Sequence, residues 1–393
     1  MRSLKVALVH DYLKEYGGAE RVLETLHEIW PKAPIYTSIF LPKFAGPNRH
    51  KVEKWNVKTS FLQHVPFKAK FISPARLIAP FLFKSFDLSE YDVVIVSSTG
   101  TYTSPNFIKT GKKTLHICYY HTPPRYLYGY PVANPWEEVA WRRVLKFFGQ
   151  VPMHFLRLVD FKAAQIPDFV IANSQEVAAR IEKFYRRKAK VIYPPVDIPR
   201  LAQSSKLKAK SSYYLAGGRL ARHKGQDLAI KVCTKMNLPL KVFGRGFAAY
   251  GEEQLKKFAG PNVEFLGELT DEKKWELLAG AKALIFPSQD EDFGILPVEA
   301  MAVGTPVIAL RSGGVIETVI DGKTGVFFDP PSHKASEGQG EPAVESLIKA
   351  IKRFGKMKIN PEDCINQAKK FSKERFKKQM LQFVARHARA SRS

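Results

Sequence analysis

The sequence lacks long apolar segments and has few cysteines. Hydrophobic residues make up 45% of its 393 residues, yet no apolar run reaches the roughly 20 residues that a membrane-spanning helix needs. The first apolar run, residues 6–9, is also too short for the core of a signal peptide. Cys118, Cys233 and Cys364 form neither a disulfide framework nor a CxxC metal pattern. We therefore expect buried thiols and a reducing, cytoplasmic environment.

Acidic residues are scarce relative to basic ones. The chain has 62 Lys and Arg against 37 Asp and Glu, a formal net charge of +25. Between residues 31 and 86, ten basic residues face a single acid, Glu53. Such a surplus favours polyanionic partners, such as nucleic acid, anionic lipid or a phosphorylated ligand. The alternative is a lysine-rich surface that serves only solubility.

Apolar runs typical of buried parallel strands alternate with helical stretches along the chain, which is the pattern of α/β folds. The clearest helix spans residues 18–30, and a last helix is expected to start at Ser372. The expected strands are at residues 5–10, 35–39, 93–97, 114–119, 168–172, 190–193, 213–216, 240–243, 263–266, 283–286, 306–309 and 326–328.

A polar, serine-rich stretch at residues 201–212 predicts a linker between two α/β units of similar size, and residues 330–342 predict a polar loop. Two such units leave a cleft between them. Because open α/β sheets bind ligands beyond the carboxyl ends of their strands, a nucleotide-sized ligand is expected there.

Two segments that follow strands suit a diphosphate. Gly17 and Gly18 open the first helix, where backbone N–H groups and the positive end of the helix dipole can approach an oxyanion. Arg219 and Lys224 lie in the loop after the strand at 213–216 and offer a fork of donors and a point charge. Taken alone, the glycines could be a flexible turn and the two cations solvated surface residues.

A third segment is acidic and precedes a helix. It places Glu291 in a loop and Glu299 in the helix, so that the two carboxylates can hold different hydroxyls of one extended ligand. Pro297 is expected at the first helical position and Gly304 at the end of the helix. The helix N-terminus would present the free amides of Phe293, Gly294, Ile295 and Leu296.

His121 follows the strand at 114–119 and could make a polar contact in the cleft, although a lone histidine is often structural. Together the four segments resemble, in kind and order, the GT-B glycosyltransferases of family four, the retaining group. The resemblance covers nearly the whole chain and is most specific in EDFGILPVEAMAVGTPVIA followed by SGG. The segments VALVHDYLKEYGGAERVLE and CYYHTPPRYLY resemble a narrower branch, the GDP-mannose-dependent mannosyltransferases of bacterial O-antigen and capsule synthesis.

The resemblance implies two Rossmann-like, doubly wound domains that face each other across a cleft, with a C-terminal helix, about 372–390, crossing back to the first domain. The implied domains are residues 1–200 on the acceptor side and 201–371 on the donor side. The implied activity is a retaining hexosyl transfer, of mannose from GDP-mannose to a lipid-linked or polysaccharide acceptor, without a metal or other cofactor. Another nucleotide sugar, of glucose or galactose, is the alternative.

The resemblance also assigns roles in donor binding. Arg219 and Lys224 would bind the diphosphate with help from the amides of Gly17 and Gly18. Glu299 would hold the ribose of the nucleoside. Cations and helix dipoles at the diphosphate would stabilise the negative charge that develops as the glycosidic bond breaks, in place of a metal ion.

Two residues are implied at the transferred sugar. Glu291 would hold its hydroxyls together with the amides that follow, and His121 would contact it near the reacting carbon. Asp290 and Asp292 flank Glu291, where many relatives have glycine after the glutamate. The triplet also matches the DxD metal-ligand pattern of the other main glycosyltransferase fold. We discount this alternative because the triplet is short and leads into a helix that could itself hold phosphate.

Aromatic and basic side chains are interleaved at residues 55–86 and again at 136–161. This mixture suits an interfacial membrane segment, and buried helices with snorkelling lysines are the open alternative. With lipid-linked acceptors, it predicts a peripheral protein on the anionic inner face of the plasma membrane. A nucleic-acid-binding protein would show a known binding motif. The sequence has none, so we expect no nucleic-acid partner.

Overall fold

The computed structural model describes residues 4–103, 105–130, 140–198, 212–247, 250–329 and 341–390. These residues form two compact units. One comprises the described residues up to 130, residues 140–195 and residues 373–390, and the other comprises those from 196 to 372. The predicted linker at 201–212, apart from its last residue, and most of the predicted loop at 330–342 lie outside the described residues.

The first unit contains a seven-stranded parallel sheet. Its strands are β1 (Val6–His10), β2 (Ile35–Thr37), β3 (Val57–Thr59), β4 (Val93–Ser98), β5 (Leu115–Tyr120), β6 (Phe169–Ala172) and β7 (Lys190–Val191). Their order in the sheet is β3-β2-β1-β4-β5-β6-β7, which reverses between β1 and β4. The helices of this part are α1 (Gly18–Ile29), α2 (Arg49–Val52), α3 (Ala79–Lys84), α4 (Arg125–Tyr128), α5 (Ala140–Gln165) and α6 (Gln175–Tyr185).

The second unit contains a six-stranded parallel sheet. Its strands are β8 (Tyr214–Gly217), β9 (Leu240–Phe243), β10 (Val263–Phe265), β11 (Ala283–Phe286), β12 (Val307–Leu310) and β13 (Gly325–Phe328). The order is β10-β9-β8-β11-β12-β13, so it reverses between β8 and β11. The helices are α7 (Gln226–Lys235), α8 (Glu252–Lys256), α9 (Asp271–Gly280), α10 (Ile295–Ala302), α11 (Val315–Thr318), α12 (Glu341–Gly355) and α13 (Pro361–Lys369).

The C-terminal helix α14 (Lys373–Ala390) belongs to the first unit, as predicted. Phe376, Met380 and Val384, spaced four residues apart, are buried in the core cluster that contains residues of β1 and α1. At the start of the helix, Lys373 pairs with the Glu28 carboxylate at 2.6 Å. An apolar stripe and an ion pair therefore fix the helix on this unit.

All twelve predicted strands are present, each ending within two residues of its predicted bounds. The edge strand β3 was missed, because its sequence Val57-Lys58-Thr59 is polar and only partly buried. The three cysteines are free and buried, as predicted, and burial raises the pKa of each thiol. Among the helices of the described ranges, none has both the length and the hydropathy of a bilayer span.

Candidate active site

The loops after β8 and β11 lie side by side at the point where the strand order of the second unit reverses. They are tied together by a hydrogen bond from the Gln289 N–H to the His223 carbonyl oxygen at 3.0 Å. The first loop carries Arg219 and Lys224, and the second carries Glu291. Such reversal points leave a crevice at the carboxyl ends of the strands, where ligands of open α/β sheets bind.

Lys224 and Glu291 are in direct contact. Lys224 Nζ lies 2.6 Å from Glu291 Oε2, and Ser288 Oγ donates to the same oxygen at 2.5 Å. Both charged side chains remain partly accessible, with exposed fractions of 22% and 13%. The cation predicted for a diphosphate and the carboxylate predicted for sugar hydroxyls therefore form one charge-assisted cluster.

Glycines position the loop that carries Glu291. Gly313 has a φ of 70°, and a Cβ atom there would lie 2.2 Å from the Glu291 carbonyl oxygen. That oxygen accepts a hydrogen bond from the Gly314 N–H at 2.7 Å. Asp290 adopts a φ of 50°, and its N–H donates to Ser312 Oγ at 3.0 Å. The Ser-Gly-Gly segment thus supports the acidic loop through contacts that larger residues would block.

Helix α10 begins two residues earlier than predicted. Gly294, with a φ of 86°, is its N-cap and Ile295 its first residue, so Pro297 occupies the third position rather than the first. The first-turn N–H groups of a helix have no intrahelical partner, and proline is therefore tolerated there. The ring of Phe293 is buried against Phe371, with ring centroids 5.5 Å apart. The Phe293 side chain is therefore a core residue and does not face a ligand.

Glu299 is buried within α10 and is paired. Its Oε1 lies 2.7 Å from Lys274 Nζ, with exposed fractions of 5% for the Glu299 side chain and 10% for that of Lys274. Lys274 also contacts Asp271 Oδ1 at 3.2 Å. The predicted ribose contact is thus a carboxylate held between two helices by a lysine. Lys274 was missed because a lysine in the charged sequence of α9 carries no distinguishing signal.

Arg219 is exposed, and its guanidinium lies 4.7 Å from the centre of the Phe247 ring. The neighbouring Gly218 is packed closely against the loop after β9: a Cβ on Gly244 would lie 1.7 Å from the Gly218 carbonyl oxygen. Leu296, the second residue of α10, approaches the Cβ position of Gly218 to 3.8 Å. The glycines therefore bring the Arg219 loop close to the helix start.

In the first unit, His121 is the end of a chain of four buried side chains. His121 Nε2 lies 2.9 Å from Ser97 Oγ, which lies 3.1 Å from His10 Nδ1. His10 Nε2 is 3.7 Å from Glu20 Oε1. The other oxygen of Glu20 accepts a hydrogen bond from the Gly17 N–H at 2.8 Å. The Gly17 amide, predicted to assist a diphosphate, is engaged here by the Glu20 carboxylate, whereas the exposed Gly18 begins α1.

Burial influences the protonation states of the side chains in this series of contacts. It lowers the pKa of His121 to about 3, and a proton added to the neighbouring His10 would oppose a positive charge on His121 further. Burial opposes the ionisation of Glu20, but the interactions with His10 and the Gly17 N–H outweigh it and hold the pKa of this carboxyl below its usual value. At neutral pH the chain therefore joins a carboxylate at Glu20 to a neutral imidazole at His121.

Five residues of these clusters were not predicted from the sequence, namely His10, Glu20, Ser97, Lys274 and Ser288. A signal was present for Glu20, which follows Gly17 by three residues and so occupies the position of a capping-box glutamate. His10 and Ser97 lie at or next to the carboxyl ends of β1 and β4, where the strand order reverses. Knowledge of the strand order would have identified both as candidate site residues.

Comparison with known proteins gives a consistent result over most of the chain. The family model for Glycosyltransferase Family 4 matches residues 16–200, and the model for glycosyl transferases group 1 matches residues 197–371. The alpha-1,3/1,6-mannosyltransferase ALG2 of Mus musculus is 25% identical over 329 residues, covering 76% of this chain and 74% of the mouse protein.

The Homo sapiens ALG2 is 26% identical over 250 residues, covering 56% of this chain; the match spans 58% of the human protein. Among solved structures, Anabaena Alr3699/HepE in complex with UDP and glucose is similar with a TM-score of 0.62 and 20% identity. That match covers 98% of this chain and 100% of the Anabaena chain.

Proposed function

Since this chain belongs to the family-4 glycosyltransferases of the GT-B fold and is a hexosyltransferase, we propose that it transfers mannose from GDP-mannose to a lipid-linked or polysaccharide acceptor with retention of configuration. The observation that carries the proposal is the cluster of Lys224, Glu291 and Ser288 at the reversal point of the second sheet. It combines a cation for phosphate with a carboxylate for hydroxyls in one accessible place.

A donor diphosphate can replace the Glu291 carboxylate as the partner of Lys224. Without ligand the ammonium is neutralised by Glu291 at 2.6 Å. A donor diphosphate, with the exposed Arg219 as a second cation, offers Lys224 more negative charge than one carboxylate does. Glu291 is then released to accept hydrogen bonds from sugar hydroxyls, while backbone N–H groups in the first turn of α10 would donate to the same ligand. Glu299 would hold the ribose.

These cations and the helix dipole favour cleavage of the glycosidic bond of the donor. As the anomeric C–O bond breaks, the departing nucleoside diphosphate gains negative charge and the sugar becomes oxocarbenium-like. Arg219, Lys224 and the dipole of α10 stabilise that leaving group without rearranging during the step. The acceptor hydroxyl would attack the anomeric carbon from the face of departure and give its proton to the departing diphosphate oxygen, which accounts for retention. His121 would contact the sugar near the reacting carbon. We propose that no metal is needed.

The names of the relatives support the choice of donor. The mouse and human relatives are named mannosyltransferases, which favours mannose. The Anabaena structure contains UDP and glucose, which supports a nucleotide-sugar donor and keeps UDP-glucose as the competing choice. GDP-mannose and UDP-glucose differ in both base and sugar. Donors that combine each base with different sugars therefore show which base and which sugar the enzyme selects.

A donor panel tests the proposal directly. Purified enzyme is incubated with GDP-mannose, GDP-glucose, UDP-glucose or UDP-galactose, and release of nucleoside diphosphate is measured with and without a lipid-diphosphate-linked sugar. We expect the kcat/KM for GDP-mannose to exceed the others at least about tenfold, equivalent to ~1.4 kcal/mol. Faster turnover of UDP-glucose would contradict the donor assignment. The double variant Arg219→Ala/Lys224→Ala is the matched control for background hydrolysis.

We further propose that the first unit docks on an anionic membrane from the cytoplasmic side. The support comes from residues 55–86, where some of the apolar side chains are buried in the core and others are exposed. Leu62, Leu82 and Phe83 are core residues. The exposed members are Phe61, Phe67, Phe71, Leu77, Ile78 and Phe81, with exposed fractions of 54%, 78%, 41%, 60%, 39% and 68%. Single exposed apolar residues are ordinary, but six within 21 positions, in a basic stretch, favour an interface.

Phe67 is the most distinctive residue of this stretch. It has a φ of 54°, a left-handed conformation that is uncommon for an aromatic residue. Lys70 Nζ lies 5.8 Å from the centre of its ring. A strained backbone that presents an aromatic ring to solvent beside an ammonium suits insertion between anionic headgroups. In the second segment with interleaved aromatic and basic side chains, residues 136–161, Phe155 of α5 is 60% exposed, whereas Trp136 lies outside the described residues.

A further inference from the structure

The chain of contacts from Glu20 to His121 determines where the proton of the His121 imidazole resides. Glu20 Oε1 faces His10 Nε2, so that nitrogen must carry a proton, because a lone pair facing a carboxylate would be repelled. The 3.7 Å separation is longer than the 2.7–2.9 Å of a charge-assisted hydrogen bond. Glu20 already receives the Gly17 N–H and lies in the first turn of α1, whose dipole stabilises a negative charge. The contact with Glu20 therefore needs one proton on the His10 ring, at Nε2.

If Nε2 carries the only proton of the His10 ring, the remaining protons are fixed. With its proton on Nε2, His10 presents a lone pair at Nδ1, which can only accept from Ser97 Oγ at 3.1 Å. The single proton of the Ser97 hydroxyl is thereby used. Ser97 Oγ must then accept from His121 Nε2 at 2.9 Å. His121 Nε2 thus carries the one proton of a neutral ring, and Nδ1 is left as a lone pair.

We propose that Glu20, His10 and Ser97 are positioning residues that hold His121 as the Nε2–H tautomer, so that its Nδ1 accepts a hydrogen bond from a hydroxyl of the transferred sugar. Within the described residues His121 Nδ1 makes no hydrogen bond, which leaves it available to a ligand. An acceptor beside the reacting carbon increases electron density on the sugar and stabilises its developing positive charge. The ligand part of this inference rests on the proposed function, whereas the tautomer does not.

The tautomer can be measured without any activity. The full-length enzyme is labelled with ring-¹⁵N histidine, and long-range ¹H–¹⁵N spectra distinguish a protonated from an unprotonated ring nitrogen. The His121 signals are identified by their loss in His121→Gln. We expect a protonated Nε2 and an unprotonated Nδ1 in the wild type. In Ser97→Ala, which removes the acceptor, we expect the proton to be shared with Nδ1.

Ser98→Ala is the matched control, because Ser98 is the next residue of β4, is equally buried and has no partner for its hydroxyl in the described part of the chain. It should leave the His121 signals unchanged. A wild-type ring protonated at Nδ1, or an identical spectrum in Ser97→Ala, would overturn the inference. Should Ser97→Ala fail to fold, Glu20→Gln, which removes the charge that orients His10, provides the same comparison.

Kinetics separate this inference from the proposed function. We expect Ser97→Ala and Glu20→Gln to lower kcat about tenfold while KM for the donor changes less than about twofold, because the chain acts on orientation rather than on donor binding. A changed tautomer with unchanged kcat would contradict the role of His121. An Nε2–H tautomer in a wild-type enzyme that turns over no sugar nucleotide would leave the inference standing and refute the proposed function.

Discussion

Charged side chains of the second unit are neutralised in pairs that differ in burial. Lys224 and Glu291 are partly exposed, whereas Lys274 and Glu299 are nearly buried. Removing one member of a buried pair leaves the other charge uncompensated and destabilises the fold, whereas an accessible pair can exchange its partner for a ligand at low cost. Activity and stability must therefore be measured together when these residues are changed.

We expect Arg219→Ala, Lys224→Ala and Glu299→Ala each to lower kcat/KM for the donor at least about tenfold, or ~1.4 kcal/mol of transition-state stabilisation. Thermal unfolding measured in parallel should show a lowered midpoint for Glu299→Ala alone, because only its partner is buried. Lys235→Ala is the control, since Lys235 forms an exposed pair with Glu341. Near-wild-type turnover by Arg219→Ala/Lys224→Ala would contradict the diphosphate assignment.

His116 of β5 predicts acid sensitivity of the first unit. Burial, with a smaller effect of the charge on Arg187, lowers the pKa of this imidazole to about 3. Neither ring nitrogen has a partner within the described residues. The unfolded chain therefore binds a proton more readily than the fold does. Stability that is complete above the unfolded pKa of about 6.5 is lost as the pH falls below it.

Urea unfolding of wild type and His116→Leu measures this effect. Between pH 7 and pH 5 the wild type should lose about 2 kcal/mol more than the variant, because a single group contributes ~1.4 kcal/mol per pH unit below its unfolded pKa. His64→Leu, at an exposed position, gives the background change. Parallel pH profiles for wild type and His116→Leu would show that this side chain does not control acid stability.

At the scale of elements, the loop carrying Glu291 depends on a glycine in another segment. A Cβ on Gly313 would lie 2.2 Å from the Glu291 carbonyl oxygen, and the φ of 70° is unfavourable for alanine. We expect Gly313→Ala to displace the loop and to lower kcat/KM at least about tenfold, with a destabilisation of about 1–3 kcal/mol. Gly355→Ala is the control, because a Cβ there meets nothing within 4 Å. Full activity in Gly313→Ala would show that the loop tolerates the shift.

The central strands could be predicted from sequence because both of their faces are buried. Every residue of β1, β4 and β5 is buried, and their sequences are therefore mainly apolar, with runs such as Val6–Val9 and Val93–Val96. Strand β3 lies at a sheet edge with an exposed lysine at its centre, and no such run marks it. The start of α10 was misplaced by two residues because proline fits the whole first turn, so that its position alone does not define the helix end.

The candidate site could be predicted only in part, for a physical reason. Gly17, Arg219, Lys224, Glu291 and Glu299 lie beside turns and helix starts that have recognisable sequence signals. Their partners carry none, because the contacts join residues that are far apart in the chain. Lys224 and Glu291 are 67 positions apart, and the His10–Ser97 contact spans 87. Such pairs depend on strand order, which periodicity does not specify.

For the whole molecule, the proposed cation-and-dipole cradle predicts catalysis without a divalent metal. We expect the turnover of GDP-mannose to change by less than about twofold in excess EDTA, because Arg219 and Lys224 would supply the positive charge that a metal supplies elsewhere. Loss of activity on chelation that manganese or magnesium restores would contradict this prediction. It would also favour Asp290-Glu291-Asp292 as metal ligands, in place of the pairing of Glu291 with Lys224.

The net charge of +25 predicts binding to anionic vesicles by the first unit. Each basic residue close to an anionic surface contributes about 1 kcal/mol, so three or four give useful binding when exposed aromatic rings also insert. We expect co-flotation with vesicles of phosphatidylglycerol and phosphatidylcholine at low salt, reduced at high salt. The first charge-reversal variant changes three exposed lysines of the basic stretch to glutamate: Lys54, Lys70 and Lys84. It should abolish flotation without affecting donor turnover in solution.

A second variant distinguishes a local docking surface from the effect of net charge. It reverses three exposed lysines of the other unit, Lys349 and Lys352 in α12 and Lys356 directly after it, and so alters the total charge by the same amount. If attraction depended on overall charge alone, both variants would lose flotation equally. If the docking surface lies in the first unit, only the first variant should lose flotation. Phe67→Ser should in addition weaken binding at high salt, where charge attraction is screened and the insertion of apolar side chains still contributes. Flotation of the wild type on neutral vesicles alone, or no binding at low salt, would contradict the proposal.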